Sequence, residues 1–383
     1  MPNYSEEESA RSGGTAVAES PTSNFSYCAL PTPRVRVLPE GLEPNNARLI
    51  RQNDQKWASG TVLHYYFFDQ KSDGRNVRFT DGTTQWLPWT TTNAQKDVVR
   101  QAFDAWRRVG IGITFTEVRQ RGEAEIRIGF EDGDGAWSYV GRDVLGIGQN
   151  ERTMNFGWSL TRSTREIDTA IHEIGHTLGF PHEHQNPNSG IEWDEEAVYR
   201  NLAGDPNFWS RDTTFQNIIR KIEADAVQGS KWDPDSIMEY PFDPGLIRKP
   251  AQYFTTGLRP AGGLSQRDKT WVKSFYPPLQ TSEHRPMSPF RSEQLDLVSG
   301  EQRNFSIRPE ETREYVFQTF GNSDLVMVLF ENVNDEWRFV AGDDDSAQPR
   351  NSSIRAKLFR GREYALRIRL YAQQSGQTAV MMW

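Results

Sequence analysis

Four of the chain's six histidines fall in one short segment, Ala170 to Gln185 (AIHEIGHTLGFPHEHQ). An α-helix turns by ~100° per residue, so His172 and His176 leave the same face one turn apart and can share one metal ion. Glu173 projects beside them, which suits a base acting on water rather than a third ligand. Gly179 is expected to stop the helix, because glycine enters the left-handed conformation cheaply. Phe180-Pro181 then carry His182 round as the third donor. Three neutral imidazoles are a donor set of catalytic zinc, with one coordination position left open.

The spacing H-E-x-x-H-x-x-G-x-x-H, carried by His172, Glu173, His176, Gly179 and His182, resembles the signature of the metzincin metalloproteases. Glu183, directly after the third histidine, makes the chain look like the astacin branch. Three further stretches carry the resemblance. Ser236-Ile237-Met238-Glu239-Tyr240 resembles the astacin Met-turn, with Glu239 where many members have histidine. Gly135 to Arg142 (GAWSYVGR) resembles another astacin stretch, with Ala136 standing where a disulfide cysteine is usual. Leu264-Ser265 with Asp268, then Phe275-Tyr276-Pro277, resemble the family's closing helix.

The resemblance implies one zinc ion on His172, His176 and His182, with Glu173 as general base and Met238 as an apolar floor under the metal. It also implies that Tyr240 binds zinc at rest and swings away to hydrogen-bond the oxyanion. Substrates would be polypeptides laid along an edge strand, read here at Arg152 to Leu160. A matrixin-like metzincin is an alternative that Tyr240 disfavours. In astacins the counterpart of Glu183 contacts the new N-terminus after prosegment removal; no cleavage site is legible here, and a solvated Glu183 is the other reading. His184 is expected to face away from the metal, and His64 and His284 show no ligand spacing.

Bulk properties narrow the partners. The chain carries 44 basic and 52 acidic residues, a net charge of -8, which argues against nucleic-acid or anionic-membrane binding. No run approaches the roughly 18 apolar residues that a membrane span needs. The protein is expected to be a monomer. With a single cysteine, Cys28, it can form no intramolecular disulfide. The residue nevertheless invites a role, since a thiolate is a good zinc ligand and a cysteine upstream of the catalytic domain could cap the open position and hold the site latent. A secreted or extracellular protein is expected, although MPNYSEEESARSGG has no apolar central region, with retention in the cytoplasm as the alternative.

The fold class expected is α+β: a metzincin-type catalytic domain, a twisted sheet plus helices with zinc at the cleft, followed by an antiparallel β-sandwich. Residues 1–46 read as a disordered leader or prosegment, its later part proline-punctuated and extended, 47–278 as the catalytic domain and 279–383 as the sandwich with its linker. Strands are expected at Thr61 to Phe68, Ile113 to Val118 and Ala124 to Phe130. A helix opens at a Thr92/Gln95 capping box and buries Val99, Ala102, Phe103 and Trp106; further helices are read at Asp194 to Leu202 and Phe215 to Ile222. In the tail, apolar runs at Glu314 to Thr319, Leu325 to Phe330, Trp337 to Ala341, Ser353 to Leu358 and Tyr364 to Tyr371 suggest the sandwich, whose layout resembles modules appended to secreted bacterial peptidases. Asp343, Asp344 and Asp345 could offer carboxylates to calcium, although an acidic turn explains them. The rival to an endopeptidase is a zinc-bearing binding protein without turnover, its sandwich carrying the adhesion.

Overall fold

The computed structural model describes residues 25–31, 56–57, 60–79, 81–222, 231–278, 284–298, 301–321, 323, 325–343, 351–370 and 375–383. The expected disordered leader and proline-punctuated stretch therefore lie mostly outside the described residues, as do Asp344 and Asp345. Two compact units emerge. One contains His64–Ala105 and Glu117–Lys269 with the described residues 25–31; the other contains Trp106–Thr116, Thr270–Trp383 and the described residues up to Leu63.

The first half of the chain forms β1 (Val62–Phe67), a hairpin of β2 (Gly74–Arg78) and β3 (Thr84–Pro88), helix α1 (Asn93–Arg108), then β4 (Thr114–Glu117), β5 (Ile126–Gly129), β6 (Trp137–Ser138) and β7 (Met154–Asn155). The sheet order is β4-β1-β5-β7-β6. β1, β5 and β7 run parallel, with Tyr65 opposite Ile126 and Ile128 opposite Met154, and β6 returns antiparallel with Trp137 opposite Asn155. Val99, Ala102, Phe103 and Trp106 are all buried, as their spacing requires. Phe103 stacks on Tyr65 at 4.2 Å between ring centroids. The capping box forms by half: Thr92 Oγ1 accepts the Gln95 N–H at 3.4 Å, but the Gln95 side chain turns to Thr91 and to the N–H of Leu160. The β2–β3 hairpin was not anticipated, although Asp81-Gly82 is its turn signal, with Gly82 at φ 83°.

The expected edge strand needs correction. Of Arg152 to Leu160 only Met154–Asn155 is strand, and it lies between β5 and β6, so Trp137–Ser138 is the edge. Buried polar contacts explain this: Arg152 pairs with Glu131 at 2.9 Å and Asp134 at 3.0 Å, and Asn155 accepts the Glu131 N–H. Beyond them the backbones close up, because a Cβ on Gly157 would lie 2.3 Å from Gly135 N. Only a residue without a side chain lets the turn before β6 pass there.

Helix α2 (Glu166–Thr177) carries the histidine segment. β8 (Glu192–Trp193) leads to α3 (Glu195–Ala203), whose N-cap Asp194 accepts the Ala197 N–H at 3.1 Å. The helix expected at Phe215 to Ile222 is instead α4 (Arg211–Thr214) running into a π-helical turn at Phe215–Ile219. It stops at Arg220, whose extended backbone ends the helical run before Ile222. β9 (Ile247–Lys249) pairs with β8, and α5 (Gln252–Thr256) and α6 (Gln266–Phe275) follow.

The tail forms two sheets. β10 (Arg285–Pro286), β12 (Gln302–Ile307), β14 (Leu325–Val333), β15 (Glu336–Asp343) and β17 (Tyr364–Leu370) make one, in the order β10-β12-β17-β14-β15. β11 (Ser292–Leu297), β13 (Arg313–Gly321), β16 (Ser353–Leu358) and β18 (Gly376–Met382) make the other, in the order β11-β18-β13-β16. Leu295, Phe317, Ile354 and Val380 from one face and Phe305, Met327, Leu366 and Ile368 from the other close a single apolar core, the sandwich that was expected. Asp343 Oδ2 accepts the Ser353 N–H at 2.6 Å, so this carboxylate serves a strand end.

Replacing Phe103 with alanine should remove about 3–5 kcal/mol of stability, since the ring is fully buried and stacked. Chemical denaturation followed by tryptophan fluorescence would read the shift.

Candidate metal centre

The site is built from three backbone segments. α2 supplies His172, Glu173 and His176, all buried. Gly179 at φ 92° ends the helix as expected, and the chain folds back so that Phe180 O accepts His176 Nδ1–H at 2.7 Å. His172 Nδ1–H donates to Ile237 O at 2.8 Å. These bonds fix both tautomers and leave each Nε2 with its lone pair free. Burial keeps the rings neutral: it lowers His172 to about 4 and holds His176 and His182 well below the usual imidazole value.

His176 Nε2 and His182 Nε2 face each other at 3.1 Å. Two nitrogens on one tetrahedral zinc at about 2.0–2.1 Å would lie roughly 3.3 Å apart. His172 Nε2 is buried and has no hydrogen-bond partner among the described residues. Ligand atoms of Cys28, His172, His176 and His182 all fall within 4.8 Å of one another. Nothing in a protein other than a cation makes three buried imidazoles and a thiol favourable around one point, so the residues fit a soft-donor metal such as zinc.

The thiol arrives on the second segment, residues 25–31. Cys28 Sγ lies 3.7 Å from Glu173 Oε2, and Ser138 N–H of the edge strand donates to it. Burial and then the Glu173 carboxylate push the thiol up; a bound cation would reverse that preference. Burial likewise raises Glu173 to about 8. The segment is held by its backbone. Asn207 Oδ1 accepts the Tyr27 N–H at 2.9 Å, Asn207 Nδ2 donates to Phe25 O at 2.9 Å, and Asn217 Oδ1 accepts the Leu30 N–H at 3.1 Å.

The third segment is the turn at Ser236 to Tyr240. Asp268, on α6, accepts from Ser236 Oγ–H at 2.7 Å, Ile237 N–H at 2.8 Å and Ser265 N–H at 2.8 Å. The carboxylate thus holds the backbone of Ile237, the residue whose carbonyl orients His172. Met238 is buried and its carbonyl accepts the Glu183 N–H at 2.9 Å, tying the turn to the residue after His182. Tyr240 Oη lies 2.6 Å from His182 Nε2 and 2.8 Å from Cys28 O, and its one proton can satisfy only one of them.

Neighbouring residues sort as follows. Glu183 is half-buried: it accepts from Asp233 N–H at 3.0 Å and Asn186 Nδ2–H at 3.1 Å, and burial raises it to about 7. His184 turns away to Asn217 O at 2.9 Å. Glu239, the departure from the usual Met-turn, is buried beneath it and accepts from Trp232 Nε1–H at 2.7 Å. His64 sits on Glu125. Asp268, Asn207 and Asn217 were not singled out from sequence as parts of the site; the contacts that tie them to Ile237 and to residues 25–31 span 31 to 187 positions, so no local spacing could reveal them.

Comparison with known proteins agrees with this geometry. A family model described as Astacin, a peptidase family, matches residues 85–243. The structure of myroilysin is similar, with 31% identity and a TM-score of 0.50, covering 60% of this chain and 98% of that one. Blastula protease 10 of Paracentrotus lividus is 27% identical over 155 residues, 39% of this chain and 23% of that protein. Metalloprotease AprA of Pseudomonas entomophila is 26% identical over 147 residues, 34% of this chain and 29% of that protein. The chain thus spans less than a third of the length of these curated relatives.

Asp268→Asn puts an amide donor where an acceptor is needed and should weaken metal binding about tenfold while the fold persists. Competition against a zinc chelator, with circular dichroism alongside, would measure it.

Proposed function

The chain belongs to the astacin family of peptidases, a zinc-dependent family, and on that premise we propose that it is a zinc-dependent endopeptidase acting on polypeptides. The observation that carries the reading is the convergence of His172, His176 and His182 on one point with Glu173 beside it. His172, His176 and His182 would hold the zinc, which when bound supplies Lewis acidity to the carbonyl and to the attacking water. Glu173 takes the proton of that water and delivers it to the leaving amine, from its place between His172 and His176 in the sequence of the same helix. Tyr240 Oη, freed from Cys28 O, donates to the developing oxyanion. Met238 floors the site.

The edge strand β6 offers substrate a backbone to pair with. In this reading residues 25–31 are the inhibitory part of an N-terminal prosegment, with Cys28 as the ligand that completes the donor set. The catalytic part covers 47–278 and the accessory sandwich 279–383, whose own closed core supports an independent role. Calcium has no part in the reading. No helix among the described residues is long and apolar enough to cross a membrane. An enzyme closed by its own segment suits release outside the cell before activation.

Glu173→Ala should bind zinc as the native chain does and lose peptidase activity by about 10²–10⁴-fold, measured on a quenched peptide with and without chelator. Metal retention with full activity would remove the mechanism. Cys28→Ala should raise the activity of the unprocessed chain at least about tenfold, since it deletes a metal ligand held in place by tethering. Equal activity of the two unprocessed chains would remove the latency role.

A further inference from the structure

We propose that the pocket filled by Tyr27 is a specificity subsite that selects an aromatic side chain, tyrosine above all, directly beside the scissile bond. This rests on the peptidase reading above and adds the substrate class. Tyr27 adjoins Cys28, whose sulfur lies in the ligand cluster, so its side chain marks the position next to the reacting peptide. The ring is buried, stacks on Phe242 at 5.6 Å and meets Tyr240 at 5.1 Å and Trp209 at 6.2 Å between centroids. Its hydroxyl donates to Pro241 O at 2.9 Å.

The pocket is therefore apolar on its walls and carries one acceptor at its end. A phenol satisfies both, whereas phenylalanine leaves the Pro241 carbonyl without this donor. A carboxylate would be desolvated against aromatic faces and meet a carbonyl of the same partial charge. Asn207 at the entrance completes the recognition, since its carboxamide accepts an N–H and donates to a C=O of whatever extended chain lies there. Once residues 25–31 leave, the same groups are available to substrate.

Two arms test this on the full-length chain. Tyr27→Ala vacates the pocket, and calorimetry should then show N-acetyl-tyrosinamide binding at least about tenfold more tightly than N-acetyl-aspartamide, with neither binding the native chain. Should Tyr27→Ala not fold by circular dichroism, Asn207→Ala, which loosens the segment and keeps the aromatic walls, takes its place. Adding Trp209→Ala should abolish the difference between the two amides. Equal affinity for the two amides, or no binding of either, overturns the proposal. In the second arm, a peptide library digested by the Tyr27→Ala/Cys28→Ala double variant, which lacks both the pocket's occupant and the thiol that closes the metal site, and read by mass spectrometry should show aromatic residues enriched about tenfold over acidic ones at one position flanking the cut bond. Cleavage without that enrichment overturns the subsite. A library left uncut sinks the peptidase reading instead, and the calorimetry alone then decides the pocket.

Discussion

Three imidazoles and a thiol are buried around a common point with their metal-binding atoms turned toward one another. In the absence of a cation this arrangement is unfavourable, because lone pairs converge and polar atoms lose their water without gaining a partner. The rest of the catalytic half can be understood as what holds those groups there. The helix gives two rings a common face, the left-handed Gly179 reverses the chain, and two backbone carbonyls, from Phe180 and Ile237, set the tautomers. Metal binding and folding are then coupled, since the donors converge only in the folded chain.

The supports are graded by distance from the centre. Ile237 O touches His172 directly; Asp268 acts one step further out by holding the Ile237 N–H and the Ser236 hydroxyl. Ser138 Oγ lies 3.0 Å from Thr177 Oγ1, which ties the edge strand to the end of the zinc-site helix.

Much of this was legible in the sequence because the informative contacts are local or periodic. His172 and His176 are a helical turn apart, Gly179 is a helix stop, and Val99 to Trp106 form a stripe; each is a spacing argument, and each element is present. What escaped is long-range or polar. β11 (SEQLDL), β12 (QRNFSI) and β18 (GQTAVMM) were not read as strands, since β11 has only Leu295 and Leu297, β12 only Phe305 and Ile307, and β18 opens on Gly376-Gln377-Thr378, too little apolar alternation to show a period of two. The edge strand was misplaced because Arg152 is buried against the Glu131 and Asp134 carboxylates and Asn155 against the Glu131 backbone, all about twenty positions away in sequence, which no window of alternation can detect. The packing of residues 25–31 was likewise beyond local reading, although Cys28 itself stood out as the only cysteine.

The grip on residues 25–31 has an evolutionary corollary. Asn207 and Asn217 hold the N–H of Tyr27, the carbonyl of Phe25 and the N–H of Leu30, all of them main-chain groups that every residue except proline presents alike. Positions 26 and 29 are therefore free to drift without loosening the clamp, whereas Leu30 also packs its side chain on the apolar cluster, and proline is barred from the two donor sites. Descendants of this gene would be expected to vary there while keeping the two carboxamides, so that kinship between such leaders would be written in the enzyme body rather than in the leaders themselves.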